Sequence, residues 1–324
     1  MLVSVLLFAV GLVLLIKGGD WFVDGAVGIA KRFNLPDIVV GATVVSIGTT
    51  LPEVMVSTTG ALAGSGAMAY GNAIGSIICN TALIAAISIT CNPGPVNVKS
   101  MKTPAIFFFC SAALYCLAAY GLGTFPRWMG FVMLAIFVVY MLLTVRNGMK
   151  NPDAGAEEEE EGGKPKKLWQ ELLLLVIGAA VIAVGADLLV DHGQIIAIEL
   201  GVPETVVALL FVALGTSLPE LVTTITSLKK GRASLGVGNV IGANIFNLVL
   251  VSGVAVSLAP FDVPVENTLL DTGLNLSLVF DIPVMLGVMS LMIVPALLGK
   301  KLSRWQGIAL LCIYAAFCVC QFML

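Results

Sequence analysis

Residues 67–91 and 103–121 contain no charged side chain, and apolar stretches of similar length recur from one end of the chain to the other. A membrane-spanning helix needs about 20 mainly apolar residues. Ten segments meet that requirement: 2–31, 36–64, 67–91, 103–121, 126–146, 168–198, 203–228, 233–258, 281–298 and 303–323. Charged residues make up only 11% of the 324, and the mean hydropathy is +1.02. That leaves too little polar surface for a soluble domain, so the expected class is an all-α membrane protein. The first and sixth segments are too long to stand upright and should be tilted. The first reads as a span and not a cleaved signal, because no basic region precedes it. The seven cysteines lie mostly within apolar runs without CxxC spacing and read as reduced, buried small hydrophobes.

Basic residues orient the spans. Fifteen of the 17 Lys and Arg residues fall in the odd-numbered loops, from Lys31 and Arg32 to Lys300, Lys301 and Arg304. By the positive-inside rule those loops are cytoplasmic and both termini face out. The polar segment 149–167, with Glu157 to Glu161, reads as a solvated cytoplasmic linker. It separates a first half, 1–148, from a second, 168–324.

The halves repeat one another. Gly48-Thr49-Thr50-Leu51-Pro52-Glu53-Val54 returns 167 positions later as Gly215-Thr216-Ser217-Leu218-Pro219-Glu220-Leu221. At the same offset Asp20 meets Asp187, Asp24 meets Asp191, Pro36 meets Pro203, Gly71-Asn72 meets Gly238-Asn239, and Asn80 meets Asn247. The best-matched regions are about 36–91 and 203–258. Each half has five spans, an odd number, so the second must cross the membrane in the opposite sense. The expected architecture is ten transmembrane helices as two inverted five-helix repeats, with helices broken at the midplane. Such halves can exchange conformations and open a central site to each side in turn. The long first and sixth spans are the candidates for the elements that slide.

An ionisable group in the middle of a span is costly and marks a functional site by default. Thr49, Thr50 and Glu53 share one helix face, as do Thr216, Ser217 and Glu220. Pro52 and Pro219 cannot donate a backbone hydrogen bond and should break or kink their helices. The carbonyls released near Ser46 and Ala213 then become free oxygens lining a cavity. A second stripe runs through Asn72, Ser76 and Asn80, matched by Asn239, Ala243 and Asn247. Gly71, Gly75, Gly238 and Gly242 flank it and suit close helix packing. All these donors are oxygens. Calcium takes about six to eight of them at ~2.3–2.6 Å, and two carboxylates neutralise one divalent ion. Without that ion the buried acids need sodium or protons, a requirement that couples two ion movements. No histidine or cysteine pair serves a softer metal, and His192, next to Asp191, reads as interfacial.

These paired motifs, GTTLPE with GTSLPE and GNAIGSIICN with GNVIGANIFN, resemble those of the calcium/cation antiporter superfamily, and most of all the prokaryotic sodium/calcium exchangers. The resemblance covers essentially the whole chain. It implies calcium ligands at Glu53 and Glu220, helped by Thr50 and Thr216. It also implies sodium ligands at Thr49, Thr50, Ser76, Thr216, Ser217, the two glutamates, and the backbones of Ser46 and Ala213. Asn80 and Asn247 fall on the family's central polar pair, and the first and sixth helices are the ones that slide. Ala243 stands where similar exchangers carry serine, so one sodium position loses a hydroxyl. Asn247 replaces an aspartate of potassium-dependent members, which argues against potassium coupling. Gly75 and Gly242 stand where the proton-coupled branch carries glutamate.

The expected function is thus secondary exchange of Ca2+ for Na+ across the cytoplasmic membrane. Exchange of a divalent cation for protons is the alternative, and a cation channel a more distant one. No Walker motif appears, and no nucleophile/base pair supports an enzyme. No cofactor or nucleic-acid partner is expected, the lipid bilayer is the surrounding partner, and a monomer should suffice for transport.

Overall fold

The computed structural model describes residues 2–150, 167–200, 215–264 and 275–323. Among them are ten helices: α1 Leu2–Arg32, α2 Asp37–Leu62, α3 Gly66–Cys91, α4 Val98–Leu122, α5 Arg127–Lys150, α6 Leu168–Glu199, α7 Leu218–Lys229, α8 Ala233–Leu258, α9 Ser277–Gly299 and α10 Arg304–Met323. All but α7 have the length and apolarity to cross a membrane. The seventh expected span is described only from Gly215 onward, because 201–214 lie outside the described residues, as does the acidic stretch 151–166. The 31 residues of α1 and 32 of α6, at about 1.5 Å each, exceed a hydrocarbon core of about 30 Å.

Two bodies of side chains hold the helices. The larger core joins α2, α3, α4, α5, α8, α9 and α10 around residues such as Ile77, Phe108, Tyr140, Phe246 and Met289. The smaller one joins α1 and α6 through Leu15, Phe22, Ala26, Leu175 and Ile182, and touches the larger body at Val40, Val45 and Leu235. α1 and α6 lie backbone to backbone, and a Cβ at Gly18 would come within 2.9 Å of the Ile182 nitrogen. The expected sliding pair is therefore a packed unit with its own core. The most enclosed spans are α3 and α8, consistent with their uncharged sequences.

Two ladders tie the halves together. β1 (Gly94–Pro95) pairs antiparallel with β4 (Lys301–Leu302), and β2 (Thr124–Phe125) pairs antiparallel with β3 (Phe261–Asp262). Shifting β1 by the repeat offset gives β3, and β4 stands in the second half where β2 stands in the first. Each ladder thus joins opposite halves, and the inverted symmetry exchanges one ladder for the other.

The expected break at proline is found in one copy. A turn at Thr216–Ser217 precedes α7, and Pro219 sits in its first turn, where no partner for a proline N–H is needed. α2, by contrast, runs through Pro52 without interruption. Its irregularity lies earlier, in a π-helical turn at Gly41–Val45. Tyr140 donates to the Ala42 carbonyl of that turn at 2.8 Å, and Ser46 donates to the Gly41 carbonyl at 2.8 Å. Matching π turns open at Asn80 in α3 and at Asn247 in α8. Such turns frequently sit at functional sites. Of the cysteines only Cys79 is buried; Cys91, Cys110 and Cys312 are exposed, so the expectation of general burial does not hold.

The symmetry between α2 and α7 is not carried through to their surfaces. Leu51, Met55 and Thr59 of α2 are exposed, whereas their repeat partners Leu218 and Val222 are half-buried and Thr226 is buried. α1 presses on α7 there, and a Cβ at Gly19 would stand 2.7 Å from Val222. α6 instead leaves a furrow of about 730 Å³ along α2, walled by Leu51, Met55, Leu172 and Val176.

Candidate ion-binding site

The two heptads meet inside the bundle. Ser46, Thr49, Thr50 and Glu53 line the inner face of α2, all buried, and Glu53 has no exposed surface. Glu220, likewise at 0% exposure, and buried Ser217 face them from α7. Thr216 is half-buried in the preceding turn. The Glu53 and Glu220 carboxylates are close enough to repel one another. The Thr49 and Thr50 hydroxyls of the first repeat stand beside the Glu220 carboxylate of the second.

α3 brings Ser76 and Asn80 to the same region, and α8 brings Asn247. Ala213 lies outside the described residues. Ala243 is fully buried beside these groups on α8 and presents only a methyl. Gly242 lets α8 approach α2 closely: an added Cβ would collide with the Ser46 hydroxyl and stand 2.6 Å from the Ala42 Cα. That is the packing role expected of the stripe. The segment that symmetry would set against Gly71 and Gly75 belongs to 201–214, outside the described residues.

The hydrogen-bond state of these groups defines the chemistry. Among the described residues, both carboxylate oxygens of Glu53 and of Glu220 are buried without a hydrogen-bond partner. So are the Thr50 and Ser217 hydroxyls and the whole amide groups of Asn80 and Asn247. Buried polar atoms are almost always paired, and leaving them unpaired is expensive. So many unpaired oxygens in one place, two carboxylates among them, form a cradle that fits a hard cation as substrate. Among the described residues no group of three His, Cys, Asp or Glu offers a softer metal a site.

Two residues that the motif reading did not count as site residues, Asn239 and Asn72, bond site residues, and a third, Asn244, pairs separately one turn from Asn247. Asn239 Oδ1 accepts from Ser46 Oγ and from Thr49 Oγ1, both at 3.2 Å. Its repeat partner Asn72 donates within the first half, to Ser57 Oγ at 2.8 Å and the Glu53 carbonyl at 3.3 Å. Asn244, fully buried three residues before Asn247, donates to Thr81 Oγ1 at 2.7 Å, and its Oδ1 has no partner. The available signal was spacing: Asn244 lies one helical turn from Asn247, and Asn239 heads the stripe that ends there.

Fold and site together define a multi-pass membrane protein with a central cradle of buried oxygens contributed by both halves. The chain belongs to the sodium/calcium exchanger protein family, whose profile matches residues 3–146 and 171–323. It is 34% identical over 307 residues to an uncharacterized membrane protein of Methanocaldococcus jannaschii, covering 95% of this chain and 94% of that one. It is 30% identical to the sodium/calcium exchanger MaX1 of Methanosarcina acetivorans, with 99% of each chain covered. Among solved structures, the sodium-calcium exchanger NCX_Mj soaked with 100 mM Na+ and 10 mM Sr2+ superposes with a TM-score of 0.79 at 33% identity, covering 97% of both chains. The family, MaX1 and NCX_Mj are exchangers, that is, transporters and not enzymes.

Proposed function

We propose that this chain is a secondary active antiporter that exchanges Ca2+ for Na+ across the cytoplasmic membrane by alternating access. One observation carries the reading: Glu53 and Glu220, at equivalent positions of the two repeats, are both fully buried, and among the described residues none of their four carboxylate oxygens has a partner. Two buried anions at one point repel each other and are tolerable only with compensating charge. Ca2+ supplies both charges at once, bound by Glu53 and Glu220 with help from Thr50 and Thr216. Sodium ions supply them separately, through Thr49, Thr50, Ser76, Thr216, Ser217, the glutamates and the backbones of Ser46 and Ala213. Asn80 and Asn247 line the centre between them. An unloaded carrier must hold the bare carboxylate pair while it crosses, so the loaded forms cross preferentially. That difference is what makes the flux an exchange.

The division into repeats at 1–148 and 168–324, joined by 149–167, supplies the two interchangeable halves. The basic loops support an orientation with both termini extracytoplasmic and the 149–167 loop cytoplasmic. Both carboxylates come from one chain, so a monomer suffices for transport.

Calcium-45 uptake into proteoliposomes loaded with sodium, potassium or choline, at equal pH on both sides, tests the reading. Uptake is expected only from sodium-loaded vesicles and is expected to be lost in Glu53→Gln and Glu220→Gln, with the variants still folded. Near-wild-type flux in either purified variant would overturn the site. Ala243 favours a second reading, exchange of a divalent cation for protons, because it removes one hydroxyl from a sodium position. Uptake that ignores sodium and requires a pH gradient would establish that reading instead.

A further inference from the structure

The two repeats are built alike at the site but not at the ends of α2 and α7. The loop after α7 reads Lys230-Gly231-Arg232, and the loop at the equivalent place after α2 reads Ala63-Gly64-Ser65. Both glycines take the left-handed backbone conformation, with φ of +69° at Gly231 and +85° at Gly64, so the loops share one shape and differ in charge. Lys230 uses that difference. Its ammonium lies 2.6 Å from Asp24 Oδ1 and 3.7 Å from Asp20 Oδ1, and donates to the Asp20 carbonyl at 3.1 Å. Asp20 and Asp24 are on α1, in the sliding pair; Lys230 is fixed to the end of α7. The bond therefore holds the pair against α7.

The second repeat keeps the acids without the base. Asp187 and Asp191 on α6 are the counterparts of Asp20 and Asp24, and among the described residues neither has a cationic partner. The residue that symmetry would bring opposite them is Ala63, exposed at the end of α2. The packing follows the charges: α1 lies on α7 at Gly19 and Val222, and α6 stands off α2 across the furrow at Leu51 and Met55.

We propose that Lys230 with Asp20 and Asp24 forms a charge latch, present in one repeat and missing from the other. It biases the carrier toward the state closed between α1 and α7 and open between α6 and α2. Two states of an exactly symmetric carrier would be equally populated; a contact available in only one of them shifts the balance by its own free energy. A partly exposed ion pair of this kind shifts a two-state ratio by up to about fivefold, enough to set the resting conformation while leaving the return step open. With the basic loops cytoplasmic, the favoured state faces outward. This inference rests on the alternating-access reading above.

Hydrogen exchange of the protein in lipid nanodiscs, followed by mass spectrometry, reads both gates at once. In the wild type, 222–229 should be better protected than 55–62. Lys230→Ala should speed exchange in 222–229 and slow it in 55–62, each by up to about fivefold. Ala63→Lys, which removes no existing contact, should protect 55–62 by offering Asp187 and Asp191 the base they lack. In the Lys230→Ala background it should reverse the wild-type pattern. Unmoved protection in both Lys230→Ala and Ala63→Lys would overturn the latch. If sodium-driven calcium uptake persists in those variants, the carrier reading survives that failure. Reversed protection in a protein without sodium-driven uptake would support the latch and overturn the sodium coupling.

Discussion

Gly242 shows how narrow the tolerance at the site is. Its missing side chain is what lets α8 reach Ser46 and the Ala42 backbone, and the glutamate of proton-coupled relatives could not stand there without moving α2. Even a methyl should displace Ser46, whose single hydroxyl proton is within donating distance of both the Gly41 and the Asn239 carbonyls. Gly242→Ala is expected to lower sodium-dependent calcium uptake at least tenfold in a folded protein, equivalent to about 1.4 kcal/mol, through a poorer sodium activation curve. Unchanged sodium activation would show that α8 can retreat without cost. The carboxylates, the flanking hydroxyls and the two central asparagines were legible in the sequence because they repeat at a fixed offset. The pairing of Asn239 with Ser46 and Thr49, and of Asn244 with Thr81, was not, because such pairings depend on how far one helix is rotated against another. Spacing along a single helix carries no information about that rotation.

At the scale of elements, apolar run length located nearly every span to within a few residues, the fourth and ninth beginning about four or five residues before their apolar runs suggest. Run length could not locate the π turns. In α2 and α8 side-chain hydroxyls take up carbonyls of these turns, and α2 has a further donor in Tyr140, ninety-eight residues away on α5. Proline was a misleading guide for the same reason: α2 passes through Pro52 and yields instead at Gly41–Val45. Tyr140→Phe tests this account. It strands the Ala42 carbonyl and should destabilise the fold by about 1–3 kcal/mol, read as a lower melting temperature of the purified protein. A melting temperature equal to wild type would mean that the carbonyl finds another donor. Asn80 and Asn247, which open the other two equivalent turns, join an irregular backbone directly to a site side chain in each repeat.

The whole molecule divides into a packed helix pair, α1 with α6, and a body formed by the remaining helices. Sequence symmetry anticipated the pair, since these two spans are the longest and occupy equivalent places in the two halves. It did not anticipate their unequal seating, which depends on Lys230 having a partner and Ala63 having none. Severing the chain between 150 and 167 tests the division. Residues 1–150 and 167–324, expressed together, should assemble and carry sodium-driven calcium uptake, and neither alone should do so. Uptake by one half alone would refute a site shared between halves.

The two small ladders bear on how such a chain is made. β1 leaves the ribosome with its edge unpaired, and its partner β4 follows only after the six helices α4 to α9 have been made. β2 waits in the same way for β3. Pairings so distant in sequence form late, and open strand edges are liabilities until they close. Final locking of the body is therefore a post-insertion event that depends on the last hairpin, so damage near Lys301 and Leu302 should surface as failed biogenesis before it is felt as altered transport.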